Sequence, residues 1–231
     1  MNIFAISDLH LLGNDDKKMD IFGNHWRGHW DKIRRDWREK VRQEDLVLVP
    51  GDVSWAMKLE DAVQDLTEVD ELPGRKILVK GNHDFWWSSV TKLRQVLPAS
   101  ITALFNDCVV LDSFVVCGTR GWTCPLDALS AADEKIYNRE VGRLAASLRC
   151  AKSVAPDKPI LAMMHYPPFN ERREESGFTR LLSEYGVLRT VYGHLHGPSL
   201  KNVFEGELRG VDYRLVSCDY LNFQLKEIYS V

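Results

Sequence analysis

The sequence predicts an α/β fold of two mixed sheets flanked by helices, and three observations carry that prediction. Strand-like and helix-like segments alternate through roughly the first hundred residues, and apolar strand runs with turn residues fill most of the remainder. No Gly/Ser linker, low-complexity tract or fixed-period repeat divides the chain, so a single domain over residues 1–231 is expected. With 45% hydrophobic and 27% charged residues, the chain has the apolar mass for a core without disulfides and is too apolar to be disordered.

The elements follow in order. Asn2 to Ile6 forms a short apolar strand. Trp30, Ile33, Trp37 and Val41 recur at helical spacing with Arg and Lys on the other faces. Asp45 to Val49 is a second strand, stopped by Pro50-Gly51. Leu59, Ala62, Val63, Leu66 and Val69 mark a second helix, closed by Pro73-Gly74. Arg75 to Val79 is a third strand, and Val90, Leu93, Val96 and Leu97 a third helix. Strands joined by helices of this length imply parallel pairing. Beyond them, Cys108–Leu111 and Phe114–Cys117 flank Asp112-Ser113 as a hairpin, and Tyr137, Val141, Leu144 and Leu148 give a long helix. Pro159–Met164 is a strand ending at His165, and Thr190–Tyr192 another ending near Gly193. Val211–Ser217 and Phe223–Tyr229 complete a second sheet expected to come mostly from the C-terminal half.

Charge and cysteine usage exclude several classes. Thirty Lys+Arg against 33 Asp+Glu give a formal charge of −3, without the basic excess of a nucleic-acid coat or membrane-surface binder. No apolar run reaches the roughly 18 residues of a membrane helix, and Met1 to Ile6 lacks a basic leader, so no signal peptide is expected. Five cysteines without a Cys-x-x-Cys pair predict reduced thiols, with Cys108, Cys117 and Cys218 acting as small hydrophobes, and a cytoplasmic location.

Metal-ligand residue types gather where the strands end. Asp8 and His10 follow the first strand, Asp52 the second, and Asn82, His83 and Asp84 the third. His165 closes a later strand, and His194 and His196 the next. In parallel α/β sheets, the carboxyl ends of the strands form the ligand crevice. Residues two apart in an extended segment point the same way, so Asp8 with His10, and His194 with His196, would face one side while Leu9 and Leu195 turn into protein. A lone histidine at a strand end is ordinarily structural. Five of the seven histidines lie in these clusters, beside Asp and Asn, which points to metal. Imidazole mixed with carboxylate suits Mn, Fe, Zn, Ni or Co. Seven candidate ligands exceed one tetrahedral zinc but supply two divalent ions if a carboxylate bridges, the arrangement used to clamp attacking and leaving oxygens in phosphoryl chemistry.

In order, Asp-x-His, Gly-Asp, Gly-Asn-His-Asp, a separate His and Gly-His-x-His, spanning Asp8 to His196, resemble the calcineurin-like metallophosphoesterases. Ser54-Trp55-Ala56-Met57, Phe85-Trp86-Trp87 and Ser217-Cys218-Asp219-Tyr220 are similar to a small bacterial branch of that family. The resemblance implies a four-layer α/β/β/α sandwich. It also implies two divalent transition-metal ions, one held by Asp8, His10, Asp52 and His196, the other by Asp52, Asn82, His165 and His194. His83, a non-ligand partnered by Asp84, would then assist the leaving oxygen while a metal-bridging hydroxide attacks phosphorus in line.

These expectations describe a metal-dependent phosphoric ester hydrolase acting on a small-molecule or nucleotide phosphoester, monoester or diester. The alternatives are a nuclease, which would need a long basic groove, and a non-catalytic metal-binding scaffold, which would have lost His83, Asp84 or a ligand. Arg120 and Tyr166 are candidate substrate contacts, with a structural salt bridge and packing as their respective alternatives. Trp86 or Trp87 would stack on a nucleobase or pack in the core. His25 and His29 read as surface residues, with a loop gating the site as the alternative, and Arg172 and Arg173 as part of a solvated loop from Asn170 to Gly177, with a loop overhanging the cleft as the alternative.

Overall fold

The structure, a computed structural model, describes residues 1–12 and 19–230. They pack as two compact units, one of Met1–Ala103 with Val216–Val231 and one of Leu104–Leu215.

The first unit is built on a five-stranded sheet. Strands β1 (Ile3–Ala5), β2 (Leu46–Val49), β3 (Arg75–Leu78) and β4 (Ile101–Ala103) run parallel in that order, and β11 (Lys226–Tyr229) pairs antiparallel with β1 at the edge. Every residue of β1 and β2 is buried, as their unbroken apolar runs require of strands covered on both faces. Helices α1 (His29–Lys40), α2 (Leu59–Asp70) and α3 (Val90–Val96) cross between strands. On α1 the buried face is His29, Ile33, Asp36 and Trp37, a 3.6-residue stripe. Trp37 donates its indole N–H to the Pro73 carbonyl at 2.9 Å, while the half-buried Trp30 donates to Glu68 Oε2 at 2.6 Å.

Lys76 on β3 is fully buried. Its ammonium donates to the carbonyls of Asp70 (3.1 Å) and Leu72 and to Ser100 Oγ (3.1 Å), tying the end of α2 to the approach to β4. Burial pulls its pKa down to about 8, against the opposing charge of Asp70. An unfolded lysine titrates near 10.4, so between pH 8 and 10.4 the unfolded chain holds more of this proton and stability rises with pH. Lys76→Met is expected to remove a rise of up to about 3 kcal/mol across that window. Parallel urea titrations of both proteins at pH 7.5, 9 and 10 measure it, and superimposable pH profiles would contradict it.

The second unit carries six strands in the order β5 (Val109–Val110), β6 (Val115–Thr119), β7 (Ile160–Met164), β8 (Val187–Tyr192), β10 (Val211–Leu215), β9 (Gly206–Leu208). The four central strands are parallel and the outer pairs antiparallel, including the expected hairpin of β5 and β6. Gly118 lets β6 approach β7, since a Cβ there would sit 2.3 Å from the Met163 carbonyl. Helix α4 (Ala131–Val154) starts at a Ser130 cap and presses Ser147 against β6, whose Gly118 N–H donates to Ser147 Oγ at 3.0 Å. Helix α5 (Gly177–Glu184) opens with a capping box of Ser176 and Thr179.

The two mixed sheets and their helices bear out the expected α/β class, with one reassignment. The last strand returns to the first sheet beside β1, because Val216–Val231 packs with the N-terminal unit. All five cysteines are free thiols. Cys117, Cys124 and Cys218 are buried, whereas Cys108 is only half-buried and places its Sγ 2.8 Å from that of Cys150. Among the described residues, no helix is long and apolar enough to cross a membrane.

Candidate metal centre

In the first unit, the chain beyond β1 keeps pairing with the chain beyond β2. Asp8 N–H donates to the Gly51 carbonyl (3.0 Å), His10 N–H to Asp52 (3.0 Å) and Leu11 N–H to Val53 (2.9 Å). This brings Asp8, His10 and Asp52 together. The backbone is not the extended zigzag expected from the sequence: Asp8, His10 and Asp52 all take left-handed conformations, with φ of 61°, 47° and 53°. Leu9 is nevertheless fully buried, as predicted. A left-handed non-glycine costs about 1–3 kcal/mol, and three so close together mark a place where side-chain direction outweighs backbone comfort.

Asp8, His10 and Asp52 are all buried. A carboxylate oxygen of Asp8 lies within 4.8 Å both of one on Asp52 and of a ring nitrogen of His10, and His10 Nε2 stands 3.9 Å from Asp52 Oδ2. Two buried carboxylates this close repel one another unless a cation stands between or beside them. The donor set therefore fits a divalent ion, and its mixture of oxygen and imidazole suits a first-row transition metal.

The third-strand loop locks onto this cluster. His83 N–H donates to Asp52 Oδ1 at 2.8 Å. Gly81 passes so near that a Cβ on it would lie 2.1 Å from Asp52 Oδ1 and 2.2 Å from Asp52 N. Asp84, expected to orient His83, has a different set of partners. Its fully buried carboxylate accepts the backbone N–H groups of Asp52 (2.9 Å), Val53 (2.9 Å), Ser54 (3.3 Å) and Gly81 (2.7 Å), and the Trp86 indole (3.0 Å). Burial pushes this carboxyl up while the four backbone N–H groups draw it down. Facing donors on every side, Asp84 stitches the Asp52 loop to the Asn82–His83 loop.

Aromatic side chains frame the half-buried His83. The Trp55 ring stacks on His10 (4.9 Å between centroids, 21°) and lies 4.4 Å from His83. Phe85, exposed, meets His83 edge-on at 6.3 Å, whereas Trp86 and Trp87 are buried, their packing role rather than a stacking one. His25 is exposed, as expected, but His29 is not. Its Nε2 donates to the Leu9 carbonyl at 2.9 Å, and burial lowers its pKa. His29 thus fixes the peptide between Asp8 and His10, a role hidden in a sequence where its neighbours are mostly polar.

In the second unit, β7 ends directly at His165. The N–H groups of His165 and Tyr166 both donate to the Arg120 carbonyl (3.1 and 2.9 Å), and Gly193 N–H donates to the His165 carbonyl (3.1 Å). His194, with φ of 74°, brings Nδ1 to 3.2 Å from His165 Nε2, and the Tyr166 ring packs on it at 4.0 Å. His196 follows, half-buried, its backbone N–H held by Ser199 Oγ at 2.8 Å. Leu195, expected to turn into protein, is only half-buried.

Arg120 sets its guanidinium against the buried Glu140 (3.3 Å) and over the Trp122 ring (4.8 Å), the salt bridge foreseen as the alternative to phosphate contact. Glu140 also accepts from Thr119 Oγ1 and Arg143. Arg173 lies over the Phe204 ring at 4.8 Å, while the Asn170 side chain organises the loop beneath it.

Residues 1–198 match the calcineurin-like phosphoesterase family. No curated protein matches. Among solved structures, the phosphopantetheinyl hydrolase PptH from Mycobacterium tuberculosis aligns over 100% of this chain and 96% of its own, at 15% identity and a TM-score of 0.59. A protein of unknown function from Aquifex aeolicus aligns over 97% and 94%, at 14% identity and a TM-score of 0.52. At these identities the two structures establish a shared fold.

Proposed function

The chain belongs to the calcineurin-like phosphoesterase family, whose members are metal-dependent hydrolases, and we propose that it cleaves a phosphate ester by in-line attack of water on phosphorus. The observation that carries this is the buried cluster of Asp8, His10 and Asp52 on strained backbone at the ends of β1 and β2. We assign the metal ligands by the family pattern: Asp8, His10, Asp52, Asn82, His165, His194 and His196. Two divalent ions held there would supply Lewis acidity to water and to the phosphoryl oxygens.

The chain's own residues do the rest. Asp52, its Oδ1 held by the His83 N–H, has its carboxylate aimed by the loop it anchors. Asp84 positions that loop. His83, framed by Trp55 and Phe85 and outside the ligand set, is the group we assign to donate a proton to the leaving oxygen. Small-molecule and nucleotide esters both remain substrates of this chemistry. A nuclease finds no support in the near-balanced charge.

His83→Ala is expected to retain bound metal and lose roughly 100- to 10,000-fold in kcat, the usual worth of a proton donor. Metal analysis beside steady-state kinetics checks it. Loss of metal in proportion to activity would make His83 a ligand.

A further inference from the structure

We propose that the second unit holds the pocket for the leaving group of the phosphoester, and that this pocket selects compact alcohols without negative charge. The inference rests on the phosphoesterase reading above. A cavity of about 190 Å³ opens beside His194 and Tyr166, walled by Cys124, Leu126, Phe169 and Leu195 and rimmed by Glu171. His194 is both an assigned ligand and part of the wall, so an ester whose phosphate sits at the histidines has its organic arm at this opening.

The walls are preorganised. Phe169 is buried and wedged edge-on against Tyr192 (5.6 Å), Phe204 (5.5 Å) and Tyr213 (5.3 Å). Asn170 ties its loop to the facing segment by donating Nδ2 to the Pro125 carbonyl at 2.7 Å, while its Oδ1 accepts Arg172 N–H (3.0 Å) and Glu174 N–H (3.1 Å). Across the rim, Asn202 Nδ2 donates to Glu171 Oε1 at 2.8 Å and holds that carboxylate in place. Phe169 and Asn170 therefore have little side-chain freedom left to lose when a ligand arrives, while Leu126 and Glu171 stand exposed at the rim.

Size and charge then define the ligand. An apolar cavity of about 150 Å³ takes a benzene ring, so this one accommodates a ring with a short substituent or an alkyl chain of similar bulk. Glu171 is the one formally charged side chain in the lining, and no lysine or arginine is among the described residues there. A leaving group bearing a carboxylate or second phosphate would meet a like charge and find no cation to pair with, whereas a neutral one loses nothing.

The test compares kcat/KM for phenyl phosphate and 4-carboxyphenyl phosphate in the metal-loaded protein, in Glu171→Lys and in Leu126→Trp, with inhibition by inorganic phosphate measured in each. The wild type is expected to favour phenyl phosphate at least about tenfold. Glu171→Lys should erase or invert that preference. Leu126→Trp, which fills the cavity, should raise KM for phenyl phosphate about tenfold while leaving the phosphate inhibition constant unchanged. Turnover of both esters with the same selectivity in all three proteins overturns the pocket and leaves the phosphoesterase standing. No turnover of either ester or of bis-p-nitrophenyl phosphate, together with no phosphate binding, overturns both.

Discussion

Gly81→Ala is expected to cost the protein its metal and at least about a thousandfold in turnover, although the substitution adds a single methyl group. That methyl would stand 2.1 Å from Asp52 Oδ1 and 2.2 Å from Asp52 N, distances at which backbone must move. The far end of a flexible side chain could swing aside at little cost. Here the obstacle is the main chain of a residue already held left-handed, and Asp52 N–H is tied to Asp84 at 2.9 Å. Overpacking of this kind costs about 1–3 kcal/mol in a core, and it falls on a carboxylate proposed above as a metal ligand. A shift near 1 Å at such a group suffices for a hundredfold loss from geometry alone. Isothermal titration with Mn or Zn, beside kinetics, measures both effects. A Gly81→Ala protein that binds metal normally would show that Asp52 is not the anchor of the centre.

Asp84→Ala is expected to be more destructive to the fold than any metal-ligand substitution. It would strip the acceptor from four backbone N–H groups and the Trp86 indole, all converging on a fully buried carboxylate. Each buried donor left unsatisfied costs about 1–3 kcal/mol, so the sum approaches the roughly 5–15 kcal/mol that holds a whole domain together. Asp84→Asn keeps one carbonyl oxygen and turns an NH2 group towards donors, so an intermediate loss is expected. Denaturant unfolding of both variants checks the ordering. An Asp84→Asn protein with wild-type stability and intact metal that loses only turnover would return Asp84 to a direct partnership with His83.

The difference between those two roles for Asp84 shows what a one-dimensional pattern contains. Ligand types were legible because they recur at strand ends, and strand ends could be read from Asp45–Val49 stopping at Pro50-Gly51 or Pro159–Met164 stopping at His165. The parallel order of β1, β2 and β3 followed from the helices between them. What a residue's hydrogen bonds are spent on is decided across the fold, and Asp84 reaches back some thirty residues to Asp52 and Val53. The same holds for His29, whose acceptor is the Leu9 carbonyl, and for β11, whose partner is the first strand of the chain. The left-handed φ values at Asp8, His10, Asp52 and His194 leave no mark in composition, because tertiary contacts impose them against local preference. Short elements were lost for a plainer reason. β4 has three residues and α5 eight, too few for a period to declare itself.

The central claim, a dimetal centre that hydrolyses phosphoesters, is tested most directly by stripping the protein of metal and resupplying Mn, Fe, Ni, Zn or Mg. Bound ions and hydrolysis of p-nitrophenyl phosphate and bis-p-nitrophenyl phosphate are then measured together, with Asp52→Asn in parallel. Two ions per chain, turnover restored by a transition metal, and loss of both in Asp52→Asn are the predicted results. Full turnover by metal-free protein, or by Asp52→Asn without its ions, would contradict it.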